Sequence, residues 1–142
     1  MLVDRIIPAD ELGPGALECG AANYIDVQMA GYLAPQKDAW VAGLAALEAY
    51  ATQSQGVAFA DLSAEKRDSV LLSLPQDLQQ FFNQARTYTL QGTFGDPHYG
   101  GNTNGKGWDI IRYPGPRPAT SADMQRMDKP ATSYRRSAWG NQ

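Results

Sequence analysis

The chain has 142 residues and a mass of 15.4 kDa, which suits one domain that buries roughly 68–70% of its unfolded surface. Its net charge is -3, from 12 basic and 15 acidic residues, which argues against binding to a phosphate backbone. One cysteine, Cys19, and one histidine, His98, exclude an internal disulfide and a Cys- or His-rich zinc site. No apolar run is long enough to predict a membrane span.

The first predicted helix covers residues 2–7 and ends at Pro8, which cannot continue a helical run. Residues 8–16 have the glycine and proline content of turns. From about Leu17 an apolar repeat predicts a second helix that ends near Gly31. The residues that carry this repeat are Ala21, Tyr24, Ile25 and Met29.

The third predicted helix begins at Asp38 as its N-cap and ends at Gly56. Its apolar stripe consists of Trp40, Leu44, Leu47 and Ala51. Ser63 is placed to cap a short fourth helix, and Pro75 separates that helix from the fifth. The inward positions of the fourth helix are Val70, Leu71 and Leu74.

The fifth predicted helix runs from about Pro75 to Leu90, and Gly92 ends it. Its apolar positions are Leu78, Phe81, Phe82, Ala85 and Tyr88. No alternating strand pattern of useful length occurs. The sequence therefore predicts an all-α fold, a small irregular bundle of about five helices, with one helical domain over residues 1–118 and an extended C-terminal arm over residues 119–142.

Residues 92–118 form a long predicted loop that holds 7 of the 14 glycines and 4 of the 9 prolines. Loops of this length are usually functional. Lys106 is followed by Gly107, not by the Ser or Thr of a phosphate-binding loop, and we expect the segment to open no helix, which argues against nucleotide binding. Asn102 and Asn104 either tolerate left-handed backbone or bond their own backbone, so a tight fold is expected.

Two interpretations of the loop aromatics remain open. Tyr99, Trp108 and Tyr113 either plug the end of the helical core or form a patch that contacts a partner protein. Asp96 is interpreted as a turn initiator, since no nucleophile or second acid accompanies His98. Cys19 is interpreted as a small buried residue on a helix, with a disulfide to another chain as the alternative.

The C-terminal arm is the basic part of the chain. Residues 1–114 carry 7 basic and 13 acidic residues, whereas residues 115–142 carry 5 and 2. The Arg135-Arg136 pair either solubilises the arm or binds an acidic surface. Trp139 favours docking on a partner, because a large apolar ring gains from burial.

Five short stretches resemble one known family: residues 4–10 (DRIIPAD), 13–16 (GPGA), 93–102 (TFGDPHYGGN), 107–111 (GWDII) and 113–115 (YPG). Together they are similar to the gluconate 2-dehydrogenase subunit 3 family, the small subunits of bacterial flavin-dependent sugar and polyol dehydrogenases. The resemblance implies a mainly helical, non-catalytic subunit that holds no cofactor. It also implies a large catalytic partner of the glucose-methanol-choline type, which binds FAD and oxidises a sugar or sugar acid.

The resemblance further implies a role in stabilising or escorting that partner, and a cytochrome c subunit or another acceptor for the electrons. It favours a periplasmic or complex-mediated membrane location, with the cytoplasm as the alternative because no leader is visible. A second hypothesis is that loop 92–118 shapes the partner's substrate entrance. We expect the interface to include Phe94, His98, Tyr99, Asn102, Trp108, Tyr113, Arg135, Arg136 and Trp139.

Overall fold

The computed structural model describes residues 1–116 and 122–128. Over these residues the fold is all-α, as predicted, and its only β pairing is an isolated bridge between Asp10 and Gly13. The helices are α1 (Leu2–Ile6), α2 (Ala21–Ala30), α3 (Lys37–Gln55), α4 (Ala64–Leu72), α5 (Gln76–Phe94) and α6 (Lys106–Ile110). The five predicted helices correspond to α1–α5, and α6 lies inside the predicted loop.

Helix α5 is the centre of the fold, since α1, α2, α3 and α6 all pack against it. Trp40 of α3 lies between two rings of α5, with centroid distances of 5.1 Å to Phe81 and 5.6 Å to Tyr88. Apolar side chains from α1 to α5 complete this core. Burial of a large apolar side chain contributes about 1.5–3 kcal/mol, so these rings dominate the local packing energy.

Two predicted helix ends are confirmed. The Ser63 hydroxyl accepts the Lys66 N–H at 3.4 Å at the start of α4, and Gly56 ends α3 with a left-handed φ of 79°. The prediction of Asp38 as an N-cap is wrong. A 3₁₀ turn over Ala34–Gln36 continues directly into α3, so Asp38 lies in the first helical turn, where a carboxylate still interacts favourably with the helix dipole.

Two other predicted boundaries shift at glycines. Helix α2 begins at Ala21 rather than near Leu17, because Gly20 adopts a left-handed φ of 79° just before it. Helix α5 continues past Gly92 to Phe94. A Cβ at Gly92 would lie 2.8 Å from the Ala21 Cα, so this glycine permits close helix packing and does not end the helix.

Helix α1 is attached to α4 by an ion pair. Arg5 donates from Nε to Asp68 Oδ1 at 2.8 Å and from Nη2 to Asp68 Oδ2 at 2.7 Å. The hydrogen bond from Arg5 lowers the pKa of the Asp68 carboxyl below its usual range. Leu2 and Val3 are buried on the same short helix, so α1 is held by both apolar and ionic contacts.

Within the predicted arm, residues 122–128 are described. They include a 3₁₀ turn over Asp123–Gln125, and Arg126 pairs with Asp128 at 3.0 Å. Arg135, Arg136 and Trp139 lie outside the described residues, and the division into domain and arm stays a prediction. None of the described helices combines the length and apolarity that crossing a membrane requires.

Candidate functional site at the end of helix α5

The loop after α5 folds back over the C-terminal end of that helix. The last carbonyls of a helix have no partner within it and need donors from elsewhere. The Gly92 carbonyl accepts the Asn102 N–H at 2.6 Å, and the Gly95 carbonyl accepts the Asn102 Nδ2 at 2.8 Å. The Phe94 carbonyl accepts the Trp108 Nε1 at 2.8 Å. The loop therefore caps the helix that precedes it.

Asn102 is the centre of this capping network. Its side chain is fully buried, and besides the bonds to Gly92 and Gly95 its Oδ1 accepts the Gly107 N–H at 2.8 Å. Its backbone carbonyl accepts the Gly105 N–H at 2.8 Å. Asn102 and Asn104 have φ values of 43° and 57°, which confirms the expectation of left-handed backbone at both asparagines.

Glycines allow the backbone segments of the loop to approach each other. A Cβ at Gly101 would collide with the Gly92 carbonyl oxygen, and a Cβ at Gly107 would collide with the Thr93 carbonyl oxygen. The expectation that this segment opens no helix is wrong, because Lys106 begins the five-residue α6. The Gly107 N–H in the first turn of α6 points to Asn102, so this end of α6 is part of the capping network.

The N-terminal turn packs against the same loop. Asp10 and Gly13 exchange backbone hydrogen bonds of 3.1 and 3.2 Å, and the Thr103 N–H donates to the Cys19 carbonyl at 2.9 Å. A Cβ at Gly13 would lie 3.0 Å from the Ile110 Cγ1. The stretches within residues 4–16 and 93–115, which carry the family resemblance, thus converge in space.

A surface pocket of about 470 Å³ lies where the two segments meet. Its lining residues are Ala9, Asp10, Gly13, Pro14, Glu18, Lys106 and Asp109. Sequence reasoning assigned none of them to a site. The sequence signal that could have indicated this pocket is that Asp10, Gly13 and Asp109 belong to the stretches that carry the family resemblance.

Cys19 lies beneath this junction with no exposed surface. It occupies a turn before α2 rather than a helix. Burial raises the pKa of its thiol, and the opposing effect of the Lys106 charge is smaller. The prediction that Cys19 is a small buried residue is confirmed, and the prediction that it lies on a helix is wrong.

The 96–100 turn presents a second surface on the α2 side of the loop. The Asp96 Oδ1 accepts the His98 backbone N–H at 2.9 Å, so the interpretation of Asp96 as a turn initiator is confirmed. Gln28 and Asn23 of α2 donate to the carbonyls of Tyr99 and Gly100 at 3.2 and 2.6 Å. The His98 and Tyr99 rings meet edge to face at 5.6 Å.

The predicted interface residues fall into two groups. Asn102 and Trp108 are 0% and 4% exposed, and Phe94 is half-buried, so these three support the loop from inside. His98, Tyr99 and Tyr113 are exposed. Tyr113 stacks edge to face on Trp108 at 5.2 Å. Trp108 is thus buried against the end of α5, whereas Tyr99 and Tyr113 are exposed. That these two exposed rings contact a partner stays a prediction.

The described residues contain no group of three or more His, Cys, Asp or Glu side chains that could hold a metal ion.

A family model described as gluconate 2-dehydrogenase subunit 3 matches residues 1–115. Neither the curated proteins nor the solved structures gave a match. The matched range includes both the N-terminal turn and the loop that caps α5.

Proposed function

The chain belongs to the gluconate 2-dehydrogenase subunit 3 family, and we propose that it is a non-catalytic subunit that stabilises or escorts a large catalytic partner. The partner would be a glucose-methanol-choline type dehydrogenase that holds FAD and oxidises a sugar or sugar acid. A cytochrome c subunit or another acceptor would take the electrons. The complex would be periplasmic or membrane-associated through its other subunits, with a cytoplasmic location as the alternative.

The observation that supports a binding role best is how the loop uses its polar side chains. The Asp96 side chain fixes a turn, the Asn102 side chain bonds the Gly95 carbonyl and the Gly107 N–H, and the Trp108 indole caps Phe94. These groups build a fixed backbone shape that displays Tyr99 and Tyr113. A surface that is already ordered loses less entropy on association, which favours binding.

In this proposal His98, Tyr99 and Tyr113 contact the large subunit, because aromatic side chains combine a large apolar area with a polar edge. Phe94, Asn102 and Trp108 hold those residues in place. Arg135, Arg136 and Trp139 of the arm add contacts of their own.

The test is to express the large subunit with and without this chain and to measure soluble protein, bound FAD and sugar oxidation. We expect a large loss of soluble, FAD-loaded activity without the chain. Expression with a Tyr32→Ala variant of this chain is the control, because Tyr32 is 87% exposed and lies outside the loop. It should give the same activity as the wild-type chain. Full activity of the large subunit alone would contradict the proposal.

A second candidate function is that the loop shapes the substrate entrance of the partner. The observation in its favour is the exposed His98–Tyr99 pair on a turn fixed by Asn23 and Gln28. Replacing His98 or Tyr99 by Ala should then change kcat/KM for some sugars more than for others in an intact complex. An unchanged preference among sugars would leave the loop with a scaffolding role only.

A further inference from the structure

Four exposed apolar side chains belong to the two segments that form the pocket between the N-terminal turn and α6. Leu12 is 78% exposed and Leu17 50%, and each is next in sequence to a residue that lines the pocket. Ile111 is 53% and Tyr113 41% exposed, just after α6. We call residues 10–18 and 106–113 together the junction face. Exposed apolar side chains beside polar residues are typical of interaction surfaces when they form one patch.

The junction face carries more acidic than basic residues, namely Asp10, Glu11, Glu18 and Asp109 against Lys106 and Arg112. Asp10, Glu18 and Asp109 line the pocket, and Lys106 is the only basic residue among the lining residues. Asp10 Oδ1 also accepts the Leu12 N–H at 2.8 Å. A basic side chain from another protein would complement this charge, whereas an acidic one would be repelled.

The junction face is held in shape by contacts at both of its edges. The Asp10–Gly13 pair closes the N-terminal turn, and the Thr103–Cys19 hydrogen bond joins it to the loop. Tyr113 rests on the buried Trp108 ring. Binding therefore does not have to order this backbone, which lowers the entropic cost of association.

We propose that the junction face docks a patch of the large subunit in which an Arg or Lys side chain is surrounded by apolar residues. The basic group enters the pocket toward Asp10, Glu18 and Asp109, and the apolar residues cover Leu12, Leu17 and Ile111. This inference rests on the proposed function and adds a contact surface that the loop aromatics alone do not provide. The docking patch on the large subunit is thus defined by a basic side chain together with the apolar residues around it.

The experiment uses the full chain with an affinity tag and the co-purified large subunit, and it measures Kd at two salt concentrations. Leu12→Asp should raise Kd at least tenfold, because it places a charge in an apolar contact. Glu18→Lys should raise Kd about tenfold at low salt and less at high salt, because salt screens exposed charges. Circular dichroism spectra should match the wild type.

Matched controls come from other parts of the chain. Leu72→Asp changes a leucine that is 88% exposed at the end of α4, and Asp61→Lys reverses an exposed acid in the turn before α4. Both should bind with the wild-type Kd. If wild type binds but the Leu12 and Glu18 variants bind equally well, the inference is overturned while the proposed function stands.

The same experiment distinguishes the large subunit from a second copy of this chain as the molecule that covers the junction face. If the isolated chain forms a dimer that Leu12→Asp dissociates, and Kd for the large subunit is unchanged, the face belongs to a second copy and the inference is wrong. If the wild-type chain does not bind the large subunit at all, the proposed function itself fails.

Discussion

The helical core and the loop that caps α5 are held together in different ways. In the core, side chains pack on side chains, as Trp40 does between Phe81 and Tyr88. In the loop, backbone packs on backbone, with Asn102 satisfying the groups that are brought together. Substitutions that remove side-chain volume should therefore destabilise the core, and substitutions that add side-chain volume should destabilise the loop.

The largest expected effect is in the core. Trp40→Ala should lower the free energy of unfolding by about 4 kcal/mol, since it removes a buried ring and leaves a cavity between two others. Urea denaturation followed by circular dichroism measures this. Trp40→Phe, which keeps an aromatic ring, should cost much less. Equal losses in the two variants would contradict side-chain packing as the main stabilising interaction here.

Adding one methyl group should be nearly as harmful in the loop. Gly107→Ala places a Cβ against the Thr93 carbonyl, and we expect a loss of about 3 kcal/mol from steric overlap and displaced hydrogen bonds. Gly56→Ala is the control, because Gly56 has a left-handed φ of 79° but no atom within 4 Å of an added Cβ. It should cost only about 1 kcal/mol, from backbone strain alone. Similar losses in both variants would refute the role of close backbone packing.

Replacing the side-chain nitrogen of Asn102 by oxygen should test the polar network of the loop without changing the shape of that side chain. Asn102→Asp preserves the side-chain shape but replaces the donor to the Gly95 carbonyl by a buried negative charge. It should cost at least about 2 kcal/mol, because the buried carbonyl loses its partner and the charge is desolvated. Asn104→Asp is the matched control, since Asn104 also has a left-handed φ but is exposed. Its unfolding midpoint in urea should change little. A stable Asn102→Asp variant would show that the network is dispensable.

The smallest expected effect concerns the ion pair that attaches α1. Because Arg5 lowers the pKa of folded Asp68, the pair stabilises the fold above the ordinary Asp pKa of about 4. That contribution is lost as the pH falls through the lowered value. The difference in unfolding midpoint between wild type and Asp68→Asn should thus shrink toward pH 3. A difference that stays constant between pH 3 and 6 would contradict this assignment.

Much of the helical fold was predictable because apolar periodicity reports which side of a helix is buried. The Ser63 and Gly56 signals were also local, and both are confirmed. Gly92 misled because glycine both ends helices and permits close approach, and only the position of Ala21 decides between the two. Short α6 lacked enough residues for a repeat to predict it.

The candidate site was predictable as a segment but not as a geometry. The glycine content of the loop and the left-handed tolerance of its asparagines indicated a tight fold. The burial of Asn102 depends on carbonyls of α5 that no local pattern reveals. The pocket on the junction face joins residues from opposite ends of the matched region, so no single stretch could reveal it.

The hydrogen bond between Thr103 and Cys19 has a consequence for synthesis of the protein. A nascent chain emerges from its N-terminus, so the turn over residues 10–18 leaves the ribosome long before Thr103 and α6 exist. The Asp10–Gly13 turn can close early, but the junction face is complete only when the chain has been made through about residue 113. A partner that recognises this face would therefore select finished subunits over incomplete ones.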